Sequence, residues 1–397
     1  MSKSETTPDD PFAGDFEPHG IRPTWAEINL DALAENFRAV RACVGPGVNV
    51  MAVVKADAYG HGARACARRL DAEGADWFGV ASPEEAIELR RAGVRKPVLL
   101  FGGFWDGQAE SCIEHDLVPV VYRLDTAAAL DAAARASNVV RDIHVKIDTG
   151  MGRLGVRDDG AAEFADALRG FPNLRVDGLM THFAAADEPA RDPFTDEQVA
   201  RFYRAVAVFR ERGHNPTYEH LANSAGTLAH PKAHGNLVRP GGVLYGLWRD
   251  ILPPLRPEPA FRPVMSVRSR LTLLKSVHRG ETLGYGCTFE ASREMAVATL
   301  PVGYHDGYMR ALSNRGRVVV RGTYAPVVGR ISRDLTLVDV TDVEGVSVGD
   351  RVTLLGEDGE HRVVAEEIAG TAGTLSYEVT CGISARVPRV YASKTAG

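Results

Sequence analysis

The feature that most constrains how this chain can fold is a rhythm. From Trp25 onward, short apolar, β-branched runs alternate with Ala-rich stretches carrying Arg and Glu. The runs that read as strands are Val48 to Lys55, Trp77 to Ala81, Pro97 to Phe101, Leu117 to Tyr122, Arg141 to Asp148, Leu174 to His182, Thr217 to Asn223 and Leu237 to Arg239. Between them lie helix signals such as Ser82 to Arg91. There Ser82 suits the N-cap, Pro83 the first turn and Glu85 a capping box, and Gly93 supplies the stop. Strand and helix alternating in this way over roughly 220 residues predict a (β/α)8 TIM barrel. A doubly wound open sheet is the alternative.

The rhythm changes after the Pro-rich stretch 253–259. From Val264 to Tyr391 the runs are strand-like and separated by Gly-containing turns: Val318 to Val320, Val327 and Val328, Leu335 to Val340, Val352 to Leu355. Gly-Glu-Asp-Gly at 356–359 predicts a hairpin turn, and one helix is expected from about Val364 to Ala372. The expected organisation is therefore a tail at 1–21, a barrel over 22–260, a β-rich C-terminal domain over 261–391 and a short tail at 392–397. The 397 residues exceed one typical domain. The hydrophobic share of 45% and the charged share of 25% exclude wholesale disorder, a collagen-like fibre and a small disulfide scaffold.

Charge and cysteine usage narrow the partners. A net charge of −6 argues against nucleic acid as the main partner, because phosphate binding needs a basic face. Cys43, Cys66, Cys112, Cys287 and Cys381 lie far apart with no C-x-x-C pair, which points to a reducing compartment without a metal cluster. The first residues are acidic and carry no apolar stretch, and no apolar run approaches the roughly 18 residues of a membrane helix. A cytoplasmic protein with no membrane partner is expected.

In a barrel the catalytic groups sit where strands end. Lys55 closes the first apolar run in Val54-Lys55-Ala56-Asp57-Ala58-Tyr59-Gly60-His61-Gly62. A lysine desolvated at a strand end becomes nucleophilic, which a Schiff-base lysine requires, although a lysine snorkelling to solvent looks the same in sequence. In His144-Val145-Lys146-Ile147-Asp148-Thr149-Gly150-Met151-Gly152-Arg153, Lys146 and Asp148 share one strand face. The glycines there let the loop bring Arg153 back over the barrel mouth. His182 follows the sixth run, Ser224 the seventh, and Arg239-Pro240-Gly241-Gly242 the eighth. Loops after the seventh and eighth strands recurrently bind phosphate, and Ser224 with the amides of Gly241 and Gly242 suits that task. Taken singly, His182 reads as a structural histidine and the glycines as turns. A strand-end lysine together with a phosphate cradle suggests pyridoxal 5'-phosphate, which offers an aldehyde and a phosphate. No metal site competes: His230 and His234 have suitable spacing, but Pro231 intervenes and no acidic partner is adjacent.

These segments resemble alanine racemase. So do Asn223-Ser224-Ala225, Tyr285-Gly286, Leu300-Pro301-Val302-Gly303-Tyr304 and Tyr377-Glu378, in the family's order from about Trp25 to Tyr391. The resemblance implies a PLP-binding barrel followed by a β domain, working as a homodimer whose active sites are shared between chains. It implies that Lys55 holds the cofactor and acts as one acid/base, with Tyr285 of the partner chain as the other. It further implies that Tyr59, Ser224, Gly241, Gly242 and Tyr377 hold the phosphate and that Arg153 meets the cofactor's phenolic oxygen and the substrate carboxylate. Arg239 is implied as partner of the pyridine nitrogen and His182 as its support; Tyr304 and Arg333 are implied at the substrate. Lys146 resembles a position that is often carbamylated.

Racemisation needs a proton removed from one face of Cα and returned to the other, so two groups must flank the plane. A guanidinium at the pyridine nitrogen donates without giving up its proton, which keeps the ring a weaker electron sink. Related decarboxylases place a carboxylate there, so Arg239 favours a racemase. The implied activity is interconversion of L- and D-alanine, supplying D-alanine for peptidoglycan. Departures bear on the substrate: Arg333 stands where Met is usual, Gly284 where Ser is common, Gly242 where a bulkier residue is common and His305 where a small one is usual. These leave open a racemase or retro-aldol enzyme for another small or polar amino acid such as serine. A non-catalytic PLP carrier is a more distant alternative.

Overall fold

The computed structural model describes residues 20, 22–255 and 257–392. The expected tails at 1–21 and 392–397 lie almost wholly outside these residues. The described residues group into two compact units, one within Leu33–Arg262 and the other joining the described residues up to Ala32 with those from Pro263 to Ala392.

After β1 (Thr24–Asn29), the first unit carries β2 (Asn49–Val53), β3 (Trp77–Val80), β4 (Val98–Leu100), β5 (Val118–Val121), β6 (Arg141–Asp148), β7 (Val156–Arg157), β8 (Leu174–Met180), β9 (Tyr218–His220) and β10 (Leu237–Val238). The sheet runs β10-β2-β3-β4-β5-β6-β8-β9, with β7 attached to β6, and its ladders are parallel. Asn236 N donates to Glu219 O at 3.1 Å and Arg239 N to Ala222 O at 3.0 Å, which nearly closes the ring between β9 and β10. The result is the expected barrel rather than an open sheet. Its interior is filled by Met51, Trp77, Leu99, Val118, Val120, Met180 and Leu237, with Phe101, Tyr122 and Tyr218 packed against them. A filled interior leaves chemistry to the rim, at the C-terminal ends of the strands.

The strands stop earlier than the apolar runs suggest: β2 at Val53 rather than Lys55, β8 at Met180 rather than His182. The capping box at Ser82 is also absent. Pro83 does open the helix Pro83–Arg91, with Glu84 and Glu85 in its first turn, but the Ser82 side chain accepts no capping bond. Glu85 instead takes Ala81 N and Ala56 N, each at 2.7 Å, because a nearby turn offers it a better-placed donor.

The second unit is strand-rich. It adds β11 (Met265–Arg270), β12 (Leu273–Val277), β13 (Thr282–Leu283), β14 (Phe289–Glu290), β15 (Met295–Leu300), β16 (Arg317–Val320), β17 (Thr323–Pro326), β18 (Thr336–Asp339), β19 (Arg351–Asp358), β20 (His361–Val363) and β21 (Arg389–Ala392). The main sheet runs β17-β16-β19-β11-β1-β21, so the chain's first strand lies between β11 and its last strand, antiparallel to β11 and parallel to β21. The smaller sheet β12-β15-β18 and the hairpin β13-β14 pack around Val277, Leu283, Ala291, Met295, Val297 and Val328. The hairpin turn expected at 356–359 is displaced: Gly356 pairs with Val363 inside the ladder and Asp358 with His361, leaving Gly359 and Glu360 at the tip. The helix Ala365–Ala372 stands where it was expected.

Candidate active site

Lys55 follows β2 by two residues and opens an unusual turn. Ala56, Asp57, Ala58 and Tyr59 all have φ between 52° and 55°, a left-handed turn built from residues that carry a Cβ. Each such residue costs on the order of 1–2 kcal/mol, so the turn must be held from outside. Glu85 binds Ala56 N, the Asp57 carboxylate accepts Ala63 N at 2.7 Å, and the His61 ring bonds to the carbonyls of Ala58 and Tyr59. The turn aims Tyr59 at the loop after β10, where a Cβ on Gly241 would collide with the Tyr59 hydroxyl. Gly241 N donates to Ser224 Oγ at 3.0 Å, and Asn223 caps the short helix Ser224–Ala229 through Gly226 N. Tyr59, Ser224, Gly241 and Gly242 thus come together at one place on the rim.

On the other side of the rim, β6 ends in Lys146 and Asp148. Asp148 accepts the amides of Gly150 and Gly152 at 3.0 Å, which folds the glycine loop carrying Arg153. Lys146 is 4% exposed. Burial, followed by the charges of Arg239 and Arg153, lowers its amine to about 8, and Lys55 adds to the effect. The ring of His182 is held neutral by burial and by the same cations, Arg239 first. Lys55, Lys146, Arg153 and Arg239 therefore form one cationic neighbourhood.

Arg239 lies just past β10 and is 4% exposed. Its Nη1 donates to His220 Nδ1 at 3.0 Å and His220 O at 2.8 Å; its Nη2 donates to Thr181 O at 2.7 Å and Leu221 O at 2.9 Å, with His182 Nδ1 at 3.4 Å. Every acceptor is neutral, and burial brings the guanidinium down to about 9. Its Nε is left without a partner among the described residues. Gln198, buried on the helix Asp192–Glu211, supports this wall by donating to His182 O at 3.0 Å and Thr149 Oγ1 at 3.2 Å. Such a rim fits an anionic group with a phosphate, an aldehyde within reach of a lysine and an acceptor for Arg239 Nε.

The remaining expected residues stand on the second unit. Tyr285 lies at the tip of the β13-β14 hairpin, flanked by Gly284 and Gly286 at φ 72° and 73°, and is 74% exposed. Tyr285, Tyr304 and Arg333 line one cleft of about 510 Å³ together with Arg310, Arg330 and Leu335. Tyr304 N donates to Ser332 O and His305 N to Arg333 O, which ties the two loops together. Asp306 anchors them from beneath: buried, it is paired with Arg22 at 2.5 Å and accepts Gly303 N at 2.9 Å. Tyr377 lies on the helix Ser376–Cys381. Nothing in the sequence marked Glu85, Gln198, His220, Arg310 or Arg330 as site residues. For Glu85 the only signal was a carboxylate three residues past Ser82, which reads as capping.

Comparisons with known proteins agree on one family. Family models described as "Alanine racemase, N-terminal domain" and "Alanine racemase, C-terminal domain" match residues 28–248 and 264–391. Alanine racemase of Geobacter sulfurreducens is 47% identical over 93% of this chain and 97% of its own length. That of Halothermothrix orenii is 43% identical over 95% and 98%. Among solved structures, alanine racemase from D-cycloserine-producing Streptomyces lavendulae superposes with a TM-score of 0.87 at 36% identity, covering 96% of this chain and 98% of the other. The Bacillus anthracis enzyme with bound L-Ala-P gives 0.88 at 33% identity, covering 95% and 97%. No helix among the described residues is long and apolar enough to cross a membrane. A barrel with a lysine-bearing, cationic rim, a strand-rich second unit and relatives matched along nearly their whole length make this chain an enzyme of the alanine racemase family.

Proposed function

We propose that the protein is a pyridoxal phosphate-dependent racemase that interconverts L- and D-alanine by a two-base mechanism and supplies D-alanine for peptidoglycan in the cytoplasm. The observation that carries the reading is the rim itself, which bears Lys55, Lys146, Arg153 and Arg239 in one cationic neighbourhood and also a Tyr59–Gly241–Ser224 cradle. When bound, pyridoxal phosphate supplies an electron-withdrawing ring that acidifies the substrate's Cα–H. The expected barrel of 22–260 is the cofactor-binding part on this reading, less its residues through Ala32, which group with the other unit, and 261–391 is the part that delivers the second base.

Tyr59, Ser224, Gly241, Gly242 and Tyr377 hold the phosphate, and Lys55 holds the aldehyde end. Arg239, fixed by neutral acceptors, presents Nε–H to the ring nitrogen and keeps its own proton, while His182 stays neutral beside it. Arg153 meets the phenolic oxygen and the substrate carboxylate. Arg333 N–H, which donates to no described residue, and Tyr304 orient that carboxylate at the second face. Lys55 takes or returns the Cα proton on one face and Tyr285, from a second copy of the chain, on the other. On this reading the enzyme works as a homodimer, which the exposure of Tyr285 supports because it leaves the side chain open to a partner's site.

Lys146 is suited to carbamylation. An amine with a pKa of about 8 is about one-tenth unprotonated at pH 7, far more than an ordinary lysine at about 10.4; the free amine attacks CO2 at carbon, releases one proton and leaves an anion beside Arg153. A 13C carbamate resonance from labelled bicarbonate, absent in Lys146→Met, would establish this; no such resonance in the native protein would exclude it.

Arg310, Arg330 and Arg333 share the Tyr285 cleft without an ion-pair partner among the described residues, which favours a second reading in which the side chain of the substrate is polar, as in serine. The cofactor-loaded enzyme given L-alanine, L-serine and L-threonine separately, with chiral analysis of each product, decides the matter. D-alanine formed fastest supports the first reading and D-serine formed fastest the second. Aldehyde release from threonine would mark retro-aldol chemistry, and no product from any of them would end the racemase reading.

A further inference from the structure

Beneath the rim, two buried histidines extend inward from Arg239. His220 lies at the end of β9 and His144 within β6, both fully buried. His220 Nε2 and His144 Nδ1 are 2.8 Å apart. The chain Arg239 Nη1, His220 Nδ1, His220 Nε2, His144 Nδ1 is continuous, and it ends at His144 Nε2, which has no hydrogen-bond partner among the described residues.

The direction of every bond in this chain is fixed by one fact. A guanidinium has donors and no acceptors, so His220 Nδ1 must accept. A neutral His220 then carries its proton on Nε2 and donates it to His144 Nδ1. A neutral His144 in turn carries its proton on Nε2, the orphaned atom. Both rings are neutral because burial, with the Arg239 charge second, holds His144 down at about 3 and His220 well below its ordinary value. No carboxylate bonds to either ring or to Arg239 in the described structure; beyond each other and Arg239, the rings facing His144 are Trp77 and Tyr218.

The fold makes room for this arrangement at a cost. Gly178 lies across the β6-β8 ladder from His144, and a Cβ there would fall 2.6 Å from the imidazole. Leaving a buried N–H unsatisfied is also unfavourable. An apolar side chain at position 144 would avoid the unsatisfied N–H.

We infer that His144 is a positioning residue: its Nδ1 lone pair locks His220 in the Nε2–H tautomer, so that His220 always presents an acceptor to Arg239 and holds the guanidinium with Nε turned to the cofactor. The inference rests on the proposed function for what Arg239 does, but not for the tautomers themselves. Without an acceptor at 144, His220 Nε2–H would lose its partner. The ring would relieve that by flipping, which turns Cδ2–H against the Arg239 N–H, or by changing tautomer, which turns Nδ1–H against it, and either change removes the acceptor.

Two measurements on the full-length, cofactor-loaded protein test this. The first is 15N-histidine NMR, with two-bond correlations reporting which ring nitrogen is protonated. His144 and His220 should both appear as neutral Nε2–H rings at neutral pH, and protonation of His220 at Nδ1, or a charged ring, would overturn the inference. The second compares His144→Asn, whose side-chain oxygen can stand in for Nδ1, with His144→Phe, which fills the space without an acceptor. Racemisation kcat/KM should fall by about tenfold or more in the Phe variant and stay within about threefold in the Asn variant, with His220 keeping its Nε2–H signature only in the latter. If Phe matched or outperformed Asn, the residue would be packing alone. Should neither variant fold, the native spectrum still decides. A native protein that shows the tautomers but never racemises would refute the proposed function and leave the relay standing.

Discussion

Lys55 and Arg239 were legible in the sequence because each ends an apolar run and sits in a polar cluster that packing does not require. His144 and His220 were not. His144 lies inside β6 between Ile143 and Val145 and His220 ends β9 before Leu221, places where a histidine reads as filling, and only the barrel brings together residues 76 positions apart. Their burial has a consequence of its own. His144, His182 and His220 are all held neutral below the ordinary histidine value of 6.5. Between that value and their folded values the unfolded chain binds protons the native state refuses, so stability is lost as the pH falls below about 6.5. Each such group contributes a slope of about 1.4 kcal/mol per pH unit. Denaturant midpoints measured from pH 7 to 5 should drop steeply. A shallower drop in His144→Asn than in the native protein would assign the corresponding share to His144.

At the scale of single elements, the left-handed turn after β2 is the least predictable piece of the site. Nothing in Ala-Asp-Ala-Tyr announces four consecutive positive φ values, since these residues favour the right-handed region. The turn persists because Glu85, Asp57 and His61 over-determine it, and Glu85 reaches it from a helix whose own cap it neglects. Apolar continuity likewise could not show where β2 ends, because Val54 is as apolar as Val53 while the ladder has already stopped. Glu85→Ala should therefore weaken the protein by about 1–3 kcal/mol and speed amide hydrogen exchange at Ala56 far more than at the helix positions Ala86 to Leu89. Equal acceleration at both would mean that Glu85 serves its own helix and not the lysine turn.

For the whole molecule, the barrel was readable because its strands follow one another in sequence and in space. The second unit was readable as strand-rich but not in its order. β1 pairs with β11 and β21, so Ala26 lies opposite both Val267 and Arg389, and no local pattern reports a pairing that distant. The proposed sharing of Tyr285 between copies makes a quantitative prediction. Lys55→Ala and Tyr285→Phe should each be nearly inactive alone, yet unfolding and refolding them together should restore about a quarter of native activity, because half the dimers are mixed and each mixed dimer regains one intact site. No recovery would place both residues in the same chain's site. The central claim, two bases on opposite faces, is tested most directly in D2O. Cofactor-loaded enzyme is given protiated L-alanine, and the first D-alanine formed is analysed for isotope at Cα. Two bases predict D-alanine that carries solvent deuterium from the earliest turnovers, while unreacted L-alanine remains largely protiated. D-alanine that retains the original proton would mean that a single group carries it across, and would contradict the account.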